Sequence, residues 1–456
     1  MAFGIHEECG VFGLYGVPEA ARYAYYGLHA LQHRGQQSCG LVSVDENGEM
    51  HRLRGSGLVS EVFNARNLQT LPGSLLIGHV RYPTTDVGGL ENIQPFSFRH
   101  RTGDFSIAHN GNLVNARLLR QRLEMKGTLF QTTSDSEIFA HLIKKDSREQ
   151  ERIHHILTAL SQVEGAFSLL IMTKNRIYAC RDRFGFHPLS LATLGDGYVV
   201  ASETCAFDAI GATFLRDVEP GEVVCIDHHG LRSNFYARDC HHKMCAMEYI
   251  YFARPDSDIE GCNVHAFRKE SGKLLYREHP VDADIVIEVP ESSFSAAVGY
   301  SEASGIPYEM GLLKNKYVGR TFIMPSQAYR DQGVKMKLSP VRSVVRDKRI
   351  VLVDDSIVRG TTMRQIVRML REAGAREIHV CIASPKYKSP CYYGVDTGTH
   401  AELIGANKST EEIREYIGAD SLYYLSREAL FQSCHGRSEL CCACFDGDYP
   451  TDTYRD

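Results

Sequence analysis

The stretch RIVLVDDSIVRGTTMRQIVRMLREAG, residues 349–374, joins an apolar segment, two carboxylates, a short polar turn and an amphipathic segment that ends at a glycine. Apolar residues 350–353 predict a strand, and the spacing after Thr361 predicts a helix that ends near Gly374. The segments DIVIEVP and SSFSAAVGYSEASG show the same strand-then-helix order upstream. This alternation predicts a parallel sheet covered by helices, with a ligand at the carboxyl ends of the strands.

The turn between this strand and helix has the composition of a phosphate site. Asp354 and Asp355 end the strand, and Gly360, Thr361 and Thr362 open the helix. The N–H groups and the positive dipole end of a helix N-terminus attract anions, and threonine hydroxyls add donors. The turn lacks the GxxxxGK[ST] pattern of nucleoside triphosphate loops, so a ribose 5-phosphate is the better candidate. A helix cap is the alternative interpretation of the two acids.

The stretch VLVDDSIVRGTT resembles the fingerprint of the phosphoribosyltransferase family. The resemblance implies that Asp354 and Asp355 hold the ribose hydroxyls and Mg²⁺, and that Ser292 belongs to the same metal site. It also implies a binding turn for 5-phosphoribosyl 1-pyrophosphate (PRPP). The turn comprises Asp354, Asp355, Ser356, Val358, Arg359, Gly360, Thr361 and Thr362.

A basic segment precedes the strand. Residues 314–349 carry a net charge of +8, whereas the whole chain carries −5. A solvated face is one interpretation, and an RNA-binding surface with interleaved aromatic residues is another. The neighbouring phosphate turn favours a third, in which Lys314 and Arg320 belong to a flap that closes over the pyrophosphate of PRPP and excludes water.

The first half of the chain has a different pattern. Residues 9–225 contain short apolar strands separated by glycine and aspartate turns, with amphipathic helices predicted at residues 20–32, 113–125 and 136–144. Strands and helices that are grouped in this way predict an α+β layered domain.

Cys9 stands at the head of the first predicted strand, CGVFGLYG. A cysteine thiol is mostly protonated at neutral pH and needs a base to become a nucleophile. Removal of residues 1–8 would give Cys9 an α-amine with a pKa of about 8, which is suited to accept the thiol proton. The alternative is a buried core thiol, which is the common state of a cysteine in a strand.

Four further residues supply the parts of an amino-acid site. Asn110 and Gly111 offer a side-chain amide and a backbone N–H for an oxyanion hole. Arg81 can bind a substrate carboxylate with two hydrogen bonds, and Asp135 can pair with a substrate ammonium. Taken singly, Asn110 and Asp135 are also typical of turns and helix caps.

The segments ECGVFG, LQHRGQQS, GHVRYPTT, AHNGNLVN and TTSDSE, in this order, resemble the class II glutamine amidotransferase domain. Together with the phosphoribosyltransferase fingerprint and KNKYVGRTFIMPSQ, they make the whole chain resemble the amidophosphoribosyltransferase family. The resemblance implies a propeptide at residues 1–8, an N-terminal nucleophile (Ntn) hydrolase domain of αββα fold at 9–238, a type I phosphoribosyltransferase α/β domain at 239–425, and a tail at 426–456. The segment GHVRYPT departs from the family's GHTRW/Y-A-T beside Arg81.

The resemblance also implies a reaction and its partners. Glutamine and PRPP give 5-phosphoribosylamine, glutamate and pyrophosphate, the first step of purine synthesis, with feedback by AMP and GMP or their diphosphates, ADP and GDP. A homotetramer or dimer is implied as well. Two rival functions remain: another class II amidotransferase, which would need an ATP pyrophosphatase or sugar isomerase domain, and a PRPP-sensing regulator. The regulator predicts a DNA-binding module and a degraded glutamine clamp, and the sequence shows neither.

Fourteen cysteines in 456 residues are too dilute for a disulfide scaffold. Five of them lie in apolar segments and are predicted to be inert buried thiols: Cys39, Cys180, Cys205, Cys225 and Cys381.

The tail places Cys441 and Cys444 in a C-x-x-C spacing, which is typical of a zinc site, an iron-sulfur cluster or a redox dithiol. Resemblance to the iron-sulfur branch of the family adds Cys245 and Cys391 and implies a structural [4Fe-4S] cluster. Four-thiolate zinc is the competing interpretation, and three nearby cysteines leave the ligand assignment open. They are Cys240, Cys434 and Cys442.

The net charge of −5 and the pI near 6.5 give no overall field that would attract nucleic acid or an anionic membrane. The N-terminus MAFGIHEE lacks the basic and apolar regions of a signal peptide, and the longest apolar runs are far too short to span a bilayer. We therefore expect a cytoplasmic protein without nucleic-acid or membrane partners.

Overall fold

The computed structural model describes residues 9–82, 89–101, 103–143, 152–315, 337–397, 399–434 and 439–454. Two antiparallel sheets lie face to face in the N-terminal half, which we call the sandwich domain. The strands are β1 (Gly10–Tyr15), β2 (Ser38–Val44), β3 (Met50–Ser56), β4 (Leu75–Arg81), β5 (Phe96–Phe98), β6 (Phe105–Leu113), β7 (Gly165–Thr173), β8 (Ile177–Arg181), β9 (Ser190–Leu194), β10 (Gly197–Ala201), β11 (Thr213–Asp217), β12 (Glu222–Asp227) and β13 (Gly230–Phe235). The first sheet has the strand order β11-β9-β10-β1-β4-β2-β3, and the second has the order β13-β12-β8-β7-β6-β5.

Helices cover both outer faces of the sandwich. Leu28 of the first helix packs on Phe12 and Val80 outside the first sheet, whereas Val11 and Ile77 point into the core between the sheets. Three helices cover the outside of the second sheet. The helices are α1 (Ala20–Ala30), α2 (Val59–Val62), α3 (Ala116–Glu124), α4 (Ser136–Ile143), α5 (Arg152–Leu160) and α6 (Cys205–Asp208), with 3₁₀ turns at Gln32–Arg34, Leu68–Thr70 and Leu90–Asn92.

These layers confirm the predicted αββα arrangement. The helix expected at residues 20–32 is present and ends at Ala30, and the helix expected at 136–144 is present over its described residues, 136–143. The start expected at Leu113 for the third helix is wrong, because Leu113 is the last residue of β6 and pairs with Gly165 of β7. The chain turns after this pair, and α3 begins at Ala116.

The C-terminal half contains the predicted parallel sheet, and we call this half the parallel-sheet domain. The sheet is formed by β17 (Ile285–Glu288), β20 (Arg349–Asp354), β21 (Glu377–Ile382) and β22 (Ser421–Tyr424). Its strand order is β17-β20-β21-β22, and all three strand pairs are parallel. The short strands of this half lie outside the sheet and are β14 (Met244–Cys245), β15 (Asp258–Ile259), β16 (Cys262–Asn263), β18 (Leu312–Lys314), β19 (Leu338–Pro340) and β23 (Leu440–Cys441).

Helices pack on both faces of this sheet. The helix predicted after the phosphate turn is amphipathic, and it buries Met363, Ile366 and Leu370 against the sheet. The helices are α7 (Val264–Glu278), α8 (Phe294–Ser304), α9 (Arg342–Val345), α10 (Thr361–Glu372), α11 (Ile404–Asn407), α12 (Thr410–Ile417), α13 (Arg427–Ser433) and α14 (Ala443–Asp446), with a π-helical turn at Glu248–Phe252 and a 3₁₀ turn at His400–Glu402.

Buried charges join the two domains. The Arg34 guanidinium, at the end of a 3₁₀ turn in the sandwich, forms ion pairs with Glu203 of the sandwich and with Glu248 of the π-helical turn. All three side chains are fully buried. Removal of one partner from such a set leaves an uncompensated buried charge, so the two domains are held in one relative arrangement.

Within the described ranges, no helix is both long and apolar enough to cross a membrane.

Candidate active sites

Strands β1 and β4 place Cys9 and Arg81 at one end of the sandwich. Gly10 pairs with Val80, so Cys9, the residue before β1, lies next to the end of β4. Side chains alternate along a strand, and Val11 and Ile77 face the second sheet. The same alternation turns Cys9 and Arg81 toward the space between the sheets. The half-buried Cys9 thiol donates to the Tyr82 carbonyl at 3.5 Å.

Strand β6 of the second sheet presents Asn110 and Gly111 to the same space. Ala108 of β6 lies in the core between the sheets, so Asn110 points the same way. The Asn110 side chain is buried, and its Nδ2 has no hydrogen-bond partner within the described part of the chain. A buried amide donor without an acceptor is unfavourable unless a ligand supplies one.

Gly111 is held where no other residue fits. Its φ is 142°, and a Cβ would lie 2.0 Å from the carbonyl oxygen of Ala166 on β7. The backbone of the Asn110–Gly111 pair is therefore fixed by close packing of β6 on β7.

Asp135 lies beside the same end of β6, just before α4. Its Oδ2 accepts a hydrogen bond from the Leu113 backbone N–H at 2.8 Å, and its Oδ1 lies 3.9 Å from His109 Nδ1. The Ser136 hydroxyl lies 2.8 Å from the same His109 nitrogen. The structure thus brings Asn110, Gly111 and Asp135 together around one strand end.

Sequence reasoning missed two histidines that support this site. His79 Nε2 is 3.0 Å from the carbonyl oxygen of His109, and this hydrogen bond crosses from β4 to β6. Burial lowers the pKa of His79 to about 3, and burial also lowers the pKa of His109. Both rings are therefore neutral at physiological pH. Their positions within GHVRY and AHNGN were the available signal, but a contact between sheets cannot be deduced from one sequence.

The carboxyl end of β20 forms a second candidate site in the parallel-sheet domain. The Ser293 hydroxyl donates to Asp354 Oδ1 at 2.9 Å, and the Ser292 hydroxyl donates to the Asp355 carboxylate. Burial raises the pKa of both carboxyl groups, and for Asp354 the charge of Asp355 adds to the effect. Two buried neighbouring carboxylates favour a cation, which fits the predicted metal role of Ser292, Asp354 and Asp355.

A buried cation already lies near these acids. Arg268 of α7 lines a small cavity together with Ser292 and Asp355. Its Nε donates to the Tyr249 carbonyl at 2.7 Å, and its Nη2 donates to the Ala253 carbonyl at 2.9 Å. Burial lowers the pKa of Arg268 to about 10, so the guanidinium stays charged at neutral pH. Sequence analysis did not single out this residue.

The turn after Asp355 leads directly into α10. The Ser356 hydroxyl donates to Asp355 Oδ1 at 2.6 Å, and Gly360 has a φ of 74°. The helix begins at Thr361, so the first-turn N–H groups at Thr361 and Thr362 lack intrahelical acceptors. Unpaired N–H groups at a helix N-terminus can bind an anion, and the phosphate role of this turn stays a prediction.

Two members of the predicted turn have other contacts as well. The Arg359 guanidinium pairs with Glu402 at 3.4 Å, and the Val358 carbonyl accepts from the Ile404 N–H. Both contacts fasten the turn to the segment that follows β21.

Lys314 is exposed at the end of β18 and pairs with Glu291 at 3.0 Å. Arg320 and most of the predicted flap lie outside the described residues.

The four cysteines that the resemblance singled out converge at one place. Cys245 of β14 pairs in register with Cys441 of β23. Burial raises the pKa of the Cys444 thiol, and the nearby Cys441 and Cys391 raise it further. Cys391, Cys441 and Cys444 therefore lie near one another, although they come from two segments that are distant in sequence.

The five cysteines predicted to be inert are all buried, as expected. Burial raises the pKa of the Cys39 and Cys381 thiols to about 12, which leaves them protonated.

Comparison with known proteins identifies a domain in each half of the chain. A glutamine amidotransferase domain model matches residues 82–209, and a phosphoribosyl transferase domain model matches residues 296–406. The solved structure of Bacillus subtilis glutamine PRPP amidotransferase, complexed with ADP and GMP, has a TM-score of 0.93 and 54% identity, with 98% of each chain covered. A structure described as the allosteric regulatory enzyme of purine biosynthesis has a TM-score of 0.94 at 54% identity and covers 98% of this chain and 97% of its own. The chain therefore belongs to a class of proteins in which a glutamine amidotransferase domain is followed by a phosphoribosyltransferase domain.

Two curated relatives narrow the class. The amidophosphoribosyltransferase of Bacillus subtilis strain 168 is 54% identical over 459 residues, covering 99% of this chain and 96% of the relative. The chloroplastic amidophosphoribosyltransferase 1 of Arabidopsis thaliana is 50% identical over 446 residues, covering 97% of this chain and 79% of the relative. The chain belongs to the amidophosphoribosyltransferase family. It is an enzyme that transfers the amide nitrogen of glutamine to PRPP, the first step of purine biosynthesis.

The buried histidine at the sheet contact makes a testable prediction about pH. An unfolded histidine titrates near pH 6.5, whereas folded His79 titrates near 3. The unfolded state therefore binds more protons in this window, so the free energy of unfolding falls as the pH drops from about 6.5 toward about 3. His79→Gln keeps a donor toward the His109 carbonyl but cannot take up the proton. We expect this variant to lose about 2 kcal/mol less stability than the parent between about pH 6.5 and about pH 4.5.

Urea unfolding at the two pH values measures the difference. His228→Gln, at an exposed histidine of the same domain, controls for the substitution itself. An equal loss in the His79 variant and the parent would contradict a neutral buried His79.

Proposed function

We propose that Cys9 is the nucleophile of the glutamine half-reaction, after loss of residues 1–8 gives it a free α-amine. The amine accepts the thiol proton, and the sulfur attacks the amide carbon of glutamine. The Asn110 amide and the Gly111 backbone N–H stabilise the oxyanion, ammonia leaves, and water then releases glutamate from the thioester. The observation that carries this proposal is the buried Asn110 Nδ2 without an acceptor in the described chain, on the face toward which Cys9 points.

The same proposal assigns the binding of glutamine. Arg81 lies opposite Cys9, one residue beyond the Gly10–Val80 pair of β1 and β4. Its guanidinium can hold the α-carboxylate with two hydrogen bonds. Asp135 uses Oδ2 for the Leu113 N–H, and its Oδ1 is the oxygen that we assign to the α-ammonium. Binding at both groups orients the amide toward the thiol.

We propose that ammonia passes inside the molecule to the parallel-sheet domain, where it displaces pyrophosphate from C1 of PRPP with inversion. The turn from Ser356 to Thr362 binds the 5′-phosphate, because its helix N-terminus supplies N–H groups and hydroxyls. Asp354 and Asp355 bind the ribose hydroxyls. Lys314 and Arg320 hold the pyrophosphate and close with the flap, so that glutamine is not hydrolysed without an acceptor.

The buried carboxylates and the Ser292 hydroxyl are oxygen ligands of the kind that Mg²⁺ prefers. We propose that Asp354, Asp355 and Ser292 hold this ion, which neutralises charge on the leaving pyrophosphate when it is bound.

We propose that Cys245, Cys391, Cys441 and Cys444 hold a [4Fe-4S] cluster that fastens the tail to the rest of the chain. Each thiolate of such a cluster binds a different iron, and resemblance to the iron-sulfur branch of the family favours a cluster over four-thiolate zinc. The cluster has a structural role, with no step in the reaction.

We propose that purine nucleotides inhibit the enzyme, and we name AMP, GMP, ADP and GDP as candidates. The Bacillus subtilis relative was solved with ADP and GMP, which supports this assignment. We further propose a cytoplasmic homotetramer that takes glutamine and PRPP and binds no nucleic acid or membrane.

The glutamine half-reaction is tested by Cys9→Ala. We expect glutamine-dependent synthesis of 5-phosphoribosylamine to fall by about three orders of magnitude, because the covalent route is lost. Synthesis from ammonia and PRPP should stay within about twofold of the parent, because the second site is intact. Coupled assays with each nitrogen donor measure both rates.

Cys240→Ala is a matched control, since Cys240 is also half-buried in the described structure. Equal loss of both rates in Cys9→Ala would contradict the assignment of two sites. A parent protein that binds PRPP but releases no glutamate would support the rival regulator.

The cluster is tested by purification without oxygen and by iron, sulfide and zinc analysis. We expect about four irons and four sulfides per chain in the parent and loss of both in Cys391→Ser. Cys381→Ser, at a buried thiol outside the group, should keep the full complement. One zinc per chain in the parent, without sulfide, would contradict the proposal.

A further inference from the structure

A turn of the parallel-sheet domain lies against the proposed oxyanion hole of the sandwich domain. We call residues 392–394 the brace turn. The Asn112 Nδ2 donates to the Tyr392 carbonyl at 2.9 Å. Gly394 has a φ of 124°, and a Cβ there would lie 3.6 Å from both the Cα and the carbonyl carbon of Gly111. One turn of one domain therefore lies beside Gly111 of the other domain and accepts a hydrogen bond from the next residue, Asn112.

The far side of the brace turn is held by buried groups. His187 Nε2 donates to the Tyr393 carbonyl at 2.9 Å, and His187 Nδ1 lies 3.3 Å from Glu248 Oε1. The Tyr393 ring stacks on Phe186 with centroids 4.1 Å apart. Because His187, Phe186 and Glu248 are all fully buried, the turn has little freedom to move away from Gly111.

The same group of buried side chains extends to β1, the strand that follows Cys9. Glu248 pairs with Arg34, whose Cδ would lie 3.4 Å from a Cβ placed on Gly10. Gly10 is the residue after Cys9. The brace turn and the start of β1 are thus connected through one chain of packed groups, His187, Glu248 and Arg34.

The position of Asn112 explains why this contact matters for catalysis. Asn112 is two residues after Asn110 on β6, and residues two apart in a strand face the same side. A hydrogen bond at Asn112 therefore fixes the position and direction of β6, the strand that carries the proposed oxyanion donor Asn110. Oxyanion donors act only when they are held within a few tenths of an ångström of the developing charge.

We propose that the brace turn completes the glutamine site from the other domain, and that Asn112 is a positioning residue for the oxyanion hole. The inference rests on the proposed roles of Cys9, Asn110 and Gly111. Asn112 does not touch the reacting atoms. It acts by holding Asn110, so its loss slows the chemical step on glutamine and leaves glutamine binding and the PRPP reaction unchanged.

Asn112→Ala tests this assignment in the full-length enzyme. We expect kcat for glutamine hydrolysis with PRPP present to fall about tenfold to a hundredfold, with KM for glutamine within about threefold. Synthesis from ammonia should be unchanged. Alkylation of Cys9 by a diazoketone analogue of glutamine, which needs the oxyanion hole, should slow by a similar factor. Alkylation by iodoacetamide, which does not need it, should keep its rate.

Two further variants separate this role from a general loss of structure. Asn115→Ala removes an amide-to-carbonyl bond to Gln162 at 3.0 Å and a bond from the Glu164 N–H at 3.1 Å, both within the sandwich domain. This variant should leave the ratio of glutamine to ammonia activity unchanged. Gly394→Ala puts a Cβ on a residue with φ of 124° in the other domain. It should reproduce the selective loss of glutamine turnover even if Asn112→Ala folds poorly.

Equal loss of both activities in Asn112→Ala and Gly394→Ala, or no loss in either, would overturn the proposal. Asn110→Ala distinguishes this failure from a failure of the proposed oxyanion hole. If Asn110→Ala keeps full glutamine turnover, the oxyanion assignment itself is wrong. If Asn110→Ala loses that turnover while the two brace variants keep it, only the brace is wrong.

Discussion

The proposed glutamine site depends on one hydrogen bond between the two sheets of the sandwich, from His79 Nε2 to the His109 carbonyl. This bond ties β4, which ends at Arg81, to β6, which carries Asn110 as its next residue. Pairing of β1 with β4 then sets Cys9 at the same end. Because side chains alternate along all three strands, a slip of one residue in either sheet would turn the sulfur away from the amide. A neutral buried histidine therefore sets the geometry on which the proposed chemistry relies.

The second constraint lies between the domains. Arg34, Glu203 and Glu248 form a buried set of charges, and Glu203 also accepts from the Ser257 hydroxyl at 2.6 Å. Such pairs add little net stability, but the loss of one member is strongly unfavourable. We infer that their main effect here is to specify one domain arrangement. That arrangement suits the proposed passage of ammonia from one site to the other inside the molecule, away from water that would protonate it.

Local sequence patterns predicted the elements and the strand-end residues. The apolar run before Asp354 predicted a parallel strand, and the layered first domain followed from short consecutive strands with helices grouped between them. The patterns failed where distant residues decide the outcome. Leu113 ends a strand because it pairs with Gly165, and the His79 to His109 and Asn112 to Tyr392 contacts join residues 30 and 280 positions apart. The convergence of Cys245 and Cys391 with the tail was implied by family resemblance, since no local pattern encodes it.

The central claim is that a sulfur atom at a newly formed amino terminus releases nitrogen for an activated pentose. The most direct measurement is the intact mass of the purified enzyme, taken on the same sample that is assayed for glutamine consumption. We expect a chain that has lost residues 1–8 and begins at Cys9. A chain that retains Met1 and still consumes glutamine at the full rate would contradict it.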